Sequence, residues 1–189
     1  MKDTGNRLAL LLLAALIIPI ASAQDAAPKP AAPKPALGPS QTLLQVWNDL
    51  GRKLTAMAED FPEDKYDFKP NPVQRSFAEQ LIHAAKGNYI FVDIVKGVKP
   101  NYDDPKRSEF KTKAAVVEYV RKSFADGAAL IAGKGDSGMN DQVLDPSNQF
   151  YRINEEAWAI VEHSGEHYGQ LVVYYRVAGL VPPESRPKK

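Results

Sequence analysis

The sequence predicts an all-α protein, a four-helix bundle. Three observations carry that expectation. Four long segments repeat apolar residues at helical spacing, and no segment shows convincing strand alternation. The connections between them are polar and rich in Pro, Gly or Asp.

The first helix is expected from about Ser40 to Asp60, with Leu43, Leu44, Trp47, Leu50, Leu54 and Met57 on one stripe. Ser40 suits its N-cap, and Pro62 ends it. The second helix lies in "RSFAEQLIHAAKGNYIFVDIVKG". Ser76 and Glu79 match a capping box, in which hydroxyl and carboxylate each satisfy a free backbone N–H, and Gly97 with Pro100 marks the end. The third runs from Thr112 to Ile131 through Ala115, Val116, Tyr119, Val120 and Phe124, with Gly127 weakening it. The fourth covers about Gln149 to Ala178 and closes at Gly179, before Pro182 and Pro183.

What precedes residue 40 reads differently. Lys2 and Arg7, an apolar run from Leu8 to Ile20 and the small-x-small triplet Ala21-Ser22-Ala23 have the layout of a secretory signal peptide, residues 1–23. The run is shorter than the ~20 residues that span a bilayer, so no stable membrane anchor is expected after cleavage. Residues 24–39 repeat Ala-Pro-Lys-Pro, which favours an extended, polyproline-like tether. Residues 40–184 form one domain, and 185–189 a basic tail. The expected location is periplasmic or secreted.

Charge excludes one class of partner. Lys and Arg number 24 against 23 Asp and Glu, with no concentrated basic face, so no nucleic acid is expected as a partner. The chain has no cysteine, so a metal would be held mainly by nitrogen and oxygen, and no thiol serves as nucleophile.

The chain has three histidines: His83, and the pair His163 and His167 in "HSGEHYGQ". Positions 163 and 167 differ by ~40° around a helix axis, so both rings lie on one face. Ile160, Leu171, Tyr174 and Ala178 continue that face, which turns the pair into the bundle. His83 sits on a stripe with Gln80, Gly87, Ile90 and Ile94. From the residues alone two readings stand. The rings are hydrogen-bonded core groups, or they share a divalent cation, leaving a further coordination position open. Gly87, Gly165 and Gly169 fit either close helix packing or room for a ligand. "HSGEH" also matches the H-x-x-E-H string of inverted zinc peptidases, but only 22 residues follow His167, too few for their downstream acidic ligand. Glu166 is therefore read as a solvated surface carboxylate.

Two stretches, "FKPNPVQRSFAEQLIHAAKGN" and "HSGEHYGQLVVYYRVAGLVPPESR", resemble the DinB/YfiT-like family of metalloenzymes. The first is similar to the family's Pro-containing entry loop, Ser-x-x-Glu helix start and following histidine. The second is similar to its H-x-x-x-H-x-G-Q run. The resemblance spans residues 40–184. It implies a four-helix bundle with a crossover connection, often a dimer, and it maps His83, His163 and His167 onto metal ligands for zinc, nickel or iron. Two positions depart from the pattern: Tyr168 stands where the family often has arginine, and Glu166 where a further histidine is common. The leading expectation is an exported metal-binding protein, a metal-dependent hydrolase or transferase of unknown small-molecule substrate. The alternative is a non-enzymatic ligand- or metal-binding bundle. No catalytic residue and no organic-cofactor site is assigned. Glu166, Tyr89 and Tyr168 are neighbours of the histidines by helical phase only.

Overall fold

The structure is a computed structural model that describes residues 35–145 and 147–187. The expected signal peptide, most of the linker and the last two residues of the basic tail lie outside the described residues. Four helices dominate: α1 (Pro39–Asp60), α2 (Phe77–Val95), α3 (Lys113–Gly138) and α4 (Ile153–Val177). Among the described residues, no helix is long and apolar enough to cross a membrane.

Side-chain pairings give the helix directions. Arg75 meets Tyr174, Gln80 meets His167, and Gly87 lies against His163, so α2 and α4 run antiparallel. Trp47 packs on Phe124 and Ser40 bonds Asp136, so α1 and α3 are antiparallel too. Tyr89 meets Tyr119, while Val95 and Leu130 line one cavity farther along, which makes α2 and α3 parallel. Parallel neighbours need a return connection. Residues 96–112 supply it, running back along the ~28 Å length of the 19-residue α2. This is the crossover that the family resemblance implies.

The core follows the apolar stripes read from the sequence. Leu43, Trp47, Leu54 and Met57 of α1 are fully buried, as are Val116 and Val120 of α3 and Leu171 and Tyr175 of α4. Trp47 sits between Phe91 and Phe124, its centroid 5.5 and 5.7 Å from theirs, and its indole N–H donates to the Phe124 carbonyl at 2.9 Å. A Cβ on Gly127 would lie 2.1 Å from the Trp47 ring, so the glycine in α3 makes room for the tryptophan.

Three sequence expectations need correction. Ser40 is not the N-cap of α1. Gly38 holds that position with Pro39 at the first turn, and Ser40 gives both its N–H and its hydroxyl to Asp136. Helix α3 does not end at Ile131 but continues to Gly138, with a break at Gly135 where φ is 57°. Helix α4 starts at Ile153, not Gln149, because Phe150–Arg152 (β2) pairs antiparallel with Gln142–Leu144 (β1). Two three-residue strands are too short to show an alternation. Their turn is organised locally: the Asp145 carboxylate accepts from Gln149 N–H and Ser147 Oγ, and Asn148 takes φ 64°.

Candidate metal centre

The capping box expected at Ser76 is present. Ser76 N–H donates to the Glu79 carboxylate at 2.6 Å, and Glu79 N–H donates to Ser76 Oγ at 3.3 Å. It starts α2 two turns before His83 and so fixes the phase of that ring. Opposite lies α4 with His163 and His167. The structure brings all three histidines together, with one ring nitrogen from each lying within 4.8 Å of the other two. The centroids of His163 and His167 are 4.4 Å apart, and those of His83 lie 5.3 and 4.8 Å from them.

The outward nitrogens have distinct partners. His83 Nδ1 donates to the Asp104 carboxylate, at 2.8 and 2.9 Å from its two oxygens, which turns Nε2 inward with a lone pair. His167 Nδ1 lies 2.5 Å from Gln80 Nε2, and the same amide reaches Gln170 Oε1. That leaves His167 Nε2 facing His163 Nε2 at 3.0 Å. His163 Nδ1 is buried, with no hydrogen-bond partner among the described residues. Its ring fits because α2 carries a glycine there: a Cβ on Gly87 would meet His163 Cε1 and Nδ1 at 2.8 Å. Gly165 and Gly169 face open space, so close helix packing does not explain them.

This donor set suits a divalent cation. Metal–nitrogen bonds of about 2.0–2.1 Å meeting near 90–110° place two nitrogens about 2.8–3.4 Å apart, and the 3.0 Å separation of His163 Nε2 and His167 Nε2 lies in that range. Electrostatics acts in the same direction. Burial, reinforced by the other two imidazoles, pushes His167 down to about 4 from its ordinary 6.5. Burial, then the charge of His83, also lowers His163. Neutral rings keep their lone pairs available.

The same shifts predict an acid-sensitive fold in the metal-free protein. Between pH 6.5 and about 4 the unfolded chain binds protons at these positions that the folded chain refuses, so stability rises with pH across that window and is lost on acidification. For His167 the loss is on the order of 3 kcal/mol when complete. Urea midpoints of metal-free protein at pH 7 and pH 4.5 check it, and equal midpoints would contradict it.

Other candidates lie elsewhere. Glu166 is exposed, as the sequence suggested. Tyr89 packs at a tilt against Tyr119, its hydroxyl raised to about 12 chiefly by burial, and Tyr168 lies under the Lys53 ammonium at 5.6 Å. A roomier cavity of about 730 Å³ opens between residues 94–100 and the hairpin, yet none of the three histidines lines it. Sequence reasoning missed Asp104. Its position in the crossover "VKPNYDDPKR" carries no local signal of contact with His83.

A family model described as the DinB superfamily matches residues 47–171, more than half of the chain. The chain belongs to the DinB superfamily. Solved structures agree on the fold of this DinB-superfamily chain. One is YfiT from Bacillus subtilis, described as "a probable metal-dependent hydrolase with an unusual four-helix bundle topology". It superposes with a TM-score of 0.62 at 14% identity, over 79% of this chain and 94% of that one. A DinB-like protein of Bacillus subtilis (TM-score 0.62, 16% identity, 78% and 99% covered) and one of Bacillus cereus (0.63, 15%, 76% and 95%) are similar. No curated protein sequence matches the chain.

Proposed function

We propose that this DinB-superfamily protein is an exported metal-dependent hydrolase of a small-molecule substrate, with His83, His163 and His167 holding one divalent cation. The observation that carries the reading is the pair of Nε2 atoms 3.0 Å apart beside a third imidazole whose Nδ1 is locked on Asp104. The description of YfiT as a probable metal-dependent hydrolase supports it. Zinc, nickel and iron all suit an imidazole set without thiolate.

Bound there, the cation supplies a Lewis acid that polarises a substrate oxygen and makes a nucleophile available at neutral pH. The chain's own residues do the rest. Asp104 holds the proton of His83 at Nδ1 and fixes the ring plane. Gln80, backed by Gln170, fixes His167. A proton on His167 Nδ1 requires the Gln80 amide oxygen to face it, which a 180° turn of the amide provides when the Gln170 amide turns with it and donates its N–H to that same oxygen. Three protein nitrogens would hold such a cation, the donor count of catalytic rather than structural sites. Export through residues 1–23 gives a mature protein beginning at Gln24.

Cobalt substitution tests the reading in protein purified without a polyhistidine tag. One cobalt per chain and a visible spectrum that shifts with azide are expected. A spectrum indifferent to azide would favour a saturated carrier site, the non-enzymatic alternative. Failure to bind any cobalt would remove the metal from the account.

A further inference from the structure

Asp104, the partner of His83, also lines a concavity of about 390 Å³, together with Lys69, Arg75, Lys106, Arg107 and Glu79. The volume falls in the range of small-ligand clefts, roughly 300–1,000 Å³. The cations come from separate stretches: Lys69 and Arg75 from the entry to α2, Lys106 and Arg107 from the crossover.

Their charge is only partly offset within the pocket. The Glu79 carboxylate is committed to the Ser76 N–H at 2.6 Å and approaches Lys69 only at 3.5 Å. Asp104 is committed to His83, with Arg75 at 3.4 Å. Arg107 reaches outward to Asp67 at 2.8 Å. The Lys106 ammonium makes no ion pair among the described residues. Four cations and two carboxylates thus line the pocket, and both carboxylates have their shortest contacts with partners other than the cations, at Ser76 N–H and His83. Arg75 is held in place from behind, because its carbonyl accepts the Tyr174 hydroxyl at 2.7 Å.

We propose that this pocket binds an oxyanion, a carboxylate or a phosphate, with Arg75 and Lys106 as its principal contacts. Arg75 offers a planar fork that matches either group, and Lys106 an uncommitted point charge. The anion belongs to the substrate of the neighbouring centre, which rests on the metal reading above. The anion site itself does not.

Isothermal titration with inorganic phosphate and with malonate, at fixed ionic strength, tests the assignment. The proteins compared are wild type, Lys106→Ala, Arg75→Gln and chelator-treated wild type. Expected are roughly tenfold weaker binding in each variant with metal content unchanged, and binding that persists after chelation. The tighter of the two probes identifies the anion type. Equal affinities in wild type and both variants would overturn the proposal. So would binding that vanishes on chelation yet survives both substitutions, since the anion would then sit on the metal. Variants that lose phosphate in a protein that takes up no metal would leave the pocket standing and the metal reading refuted.

Discussion

His167→Ala is expected to abolish stoichiometric metal binding while leaving the bundle folded. The ring is 6% exposed and wedged between His163 and Gln80. Its removal takes one of three nitrogens from the set and orients none in its place. Loss of an outer hydrogen-bond partner of a ligand costs 10–100-fold in affinity, so loss of the ligand itself should exceed 100-fold. Stability should move little without metal, because the change also removes an imidazole whose burial is costly. Metal analysis of untagged protein reads the first effect, and urea unfolding of chelated protein the second. Full metal content in the variant would show that His167 is not a ligand and that the metal is held elsewhere. A subtler variant reaches the same centre from α2. Gly87→Ala puts a methyl 2.8 Å from the His163 ring, so His163 must rotate away, and metal should fall at least tenfold with helicity retained.

The largest effect on stability is expected from Trp47→Ala. The side chain is wholly buried where α1, α2 and α3 meet, edge-on to Phe124 and tilted against Phe91. Gly127 is hollowed to receive it, so the neighbouring backbone has no side chain with which to fill the void. Truncation of a buried tryptophan costs about 3–5 kcal/mol, a third or more of what many domains possess. A drop below 1.5 kcal/mol in urea unfolding would mean that the three helices close over the gap. Metal stoichiometry should survive where the protein stays folded, because the indole packs on Phe91, Phe124 and Gly127 and the ring partners of the histidines are Asp104, Gln80 and one another.

Sequence alone went furthest where the signal is local. The apolar stripe of α1, the Ser76–Glu79 box and the shared face of His163 and His167 each depend on residues within two turns of one another, and each is found in the structure. That His83 meets the pair depends on antiparallel α2 and α4 in one particular register, which no spacing within either helix encodes. Asp104 is more remote still. It reaches His83 because α2 and α3 are parallel and the chain must double back, a property of topology. The hairpin was missed because three-residue strands lie below the length at which alternation can be recognised. Ser40 was misassigned because its partner Asp136 is 96 residues away, whereas a capping rule considers only the next turn.

The returning segment between α2 and α3 gives the molecule an unusual vulnerability. Four packed rods should survive a protease nick at Tyr102, which is exposed, since the buried core side chains come mainly from the helices and Phe110 stays joined to α3. The carboxylate that steadies His83 would then be tethered from one side only. The metal binding proposed for the histidines would fade while the circular dichroism of the rods stayed intact, so helical content is a poor gauge of whether a given preparation can take up metal.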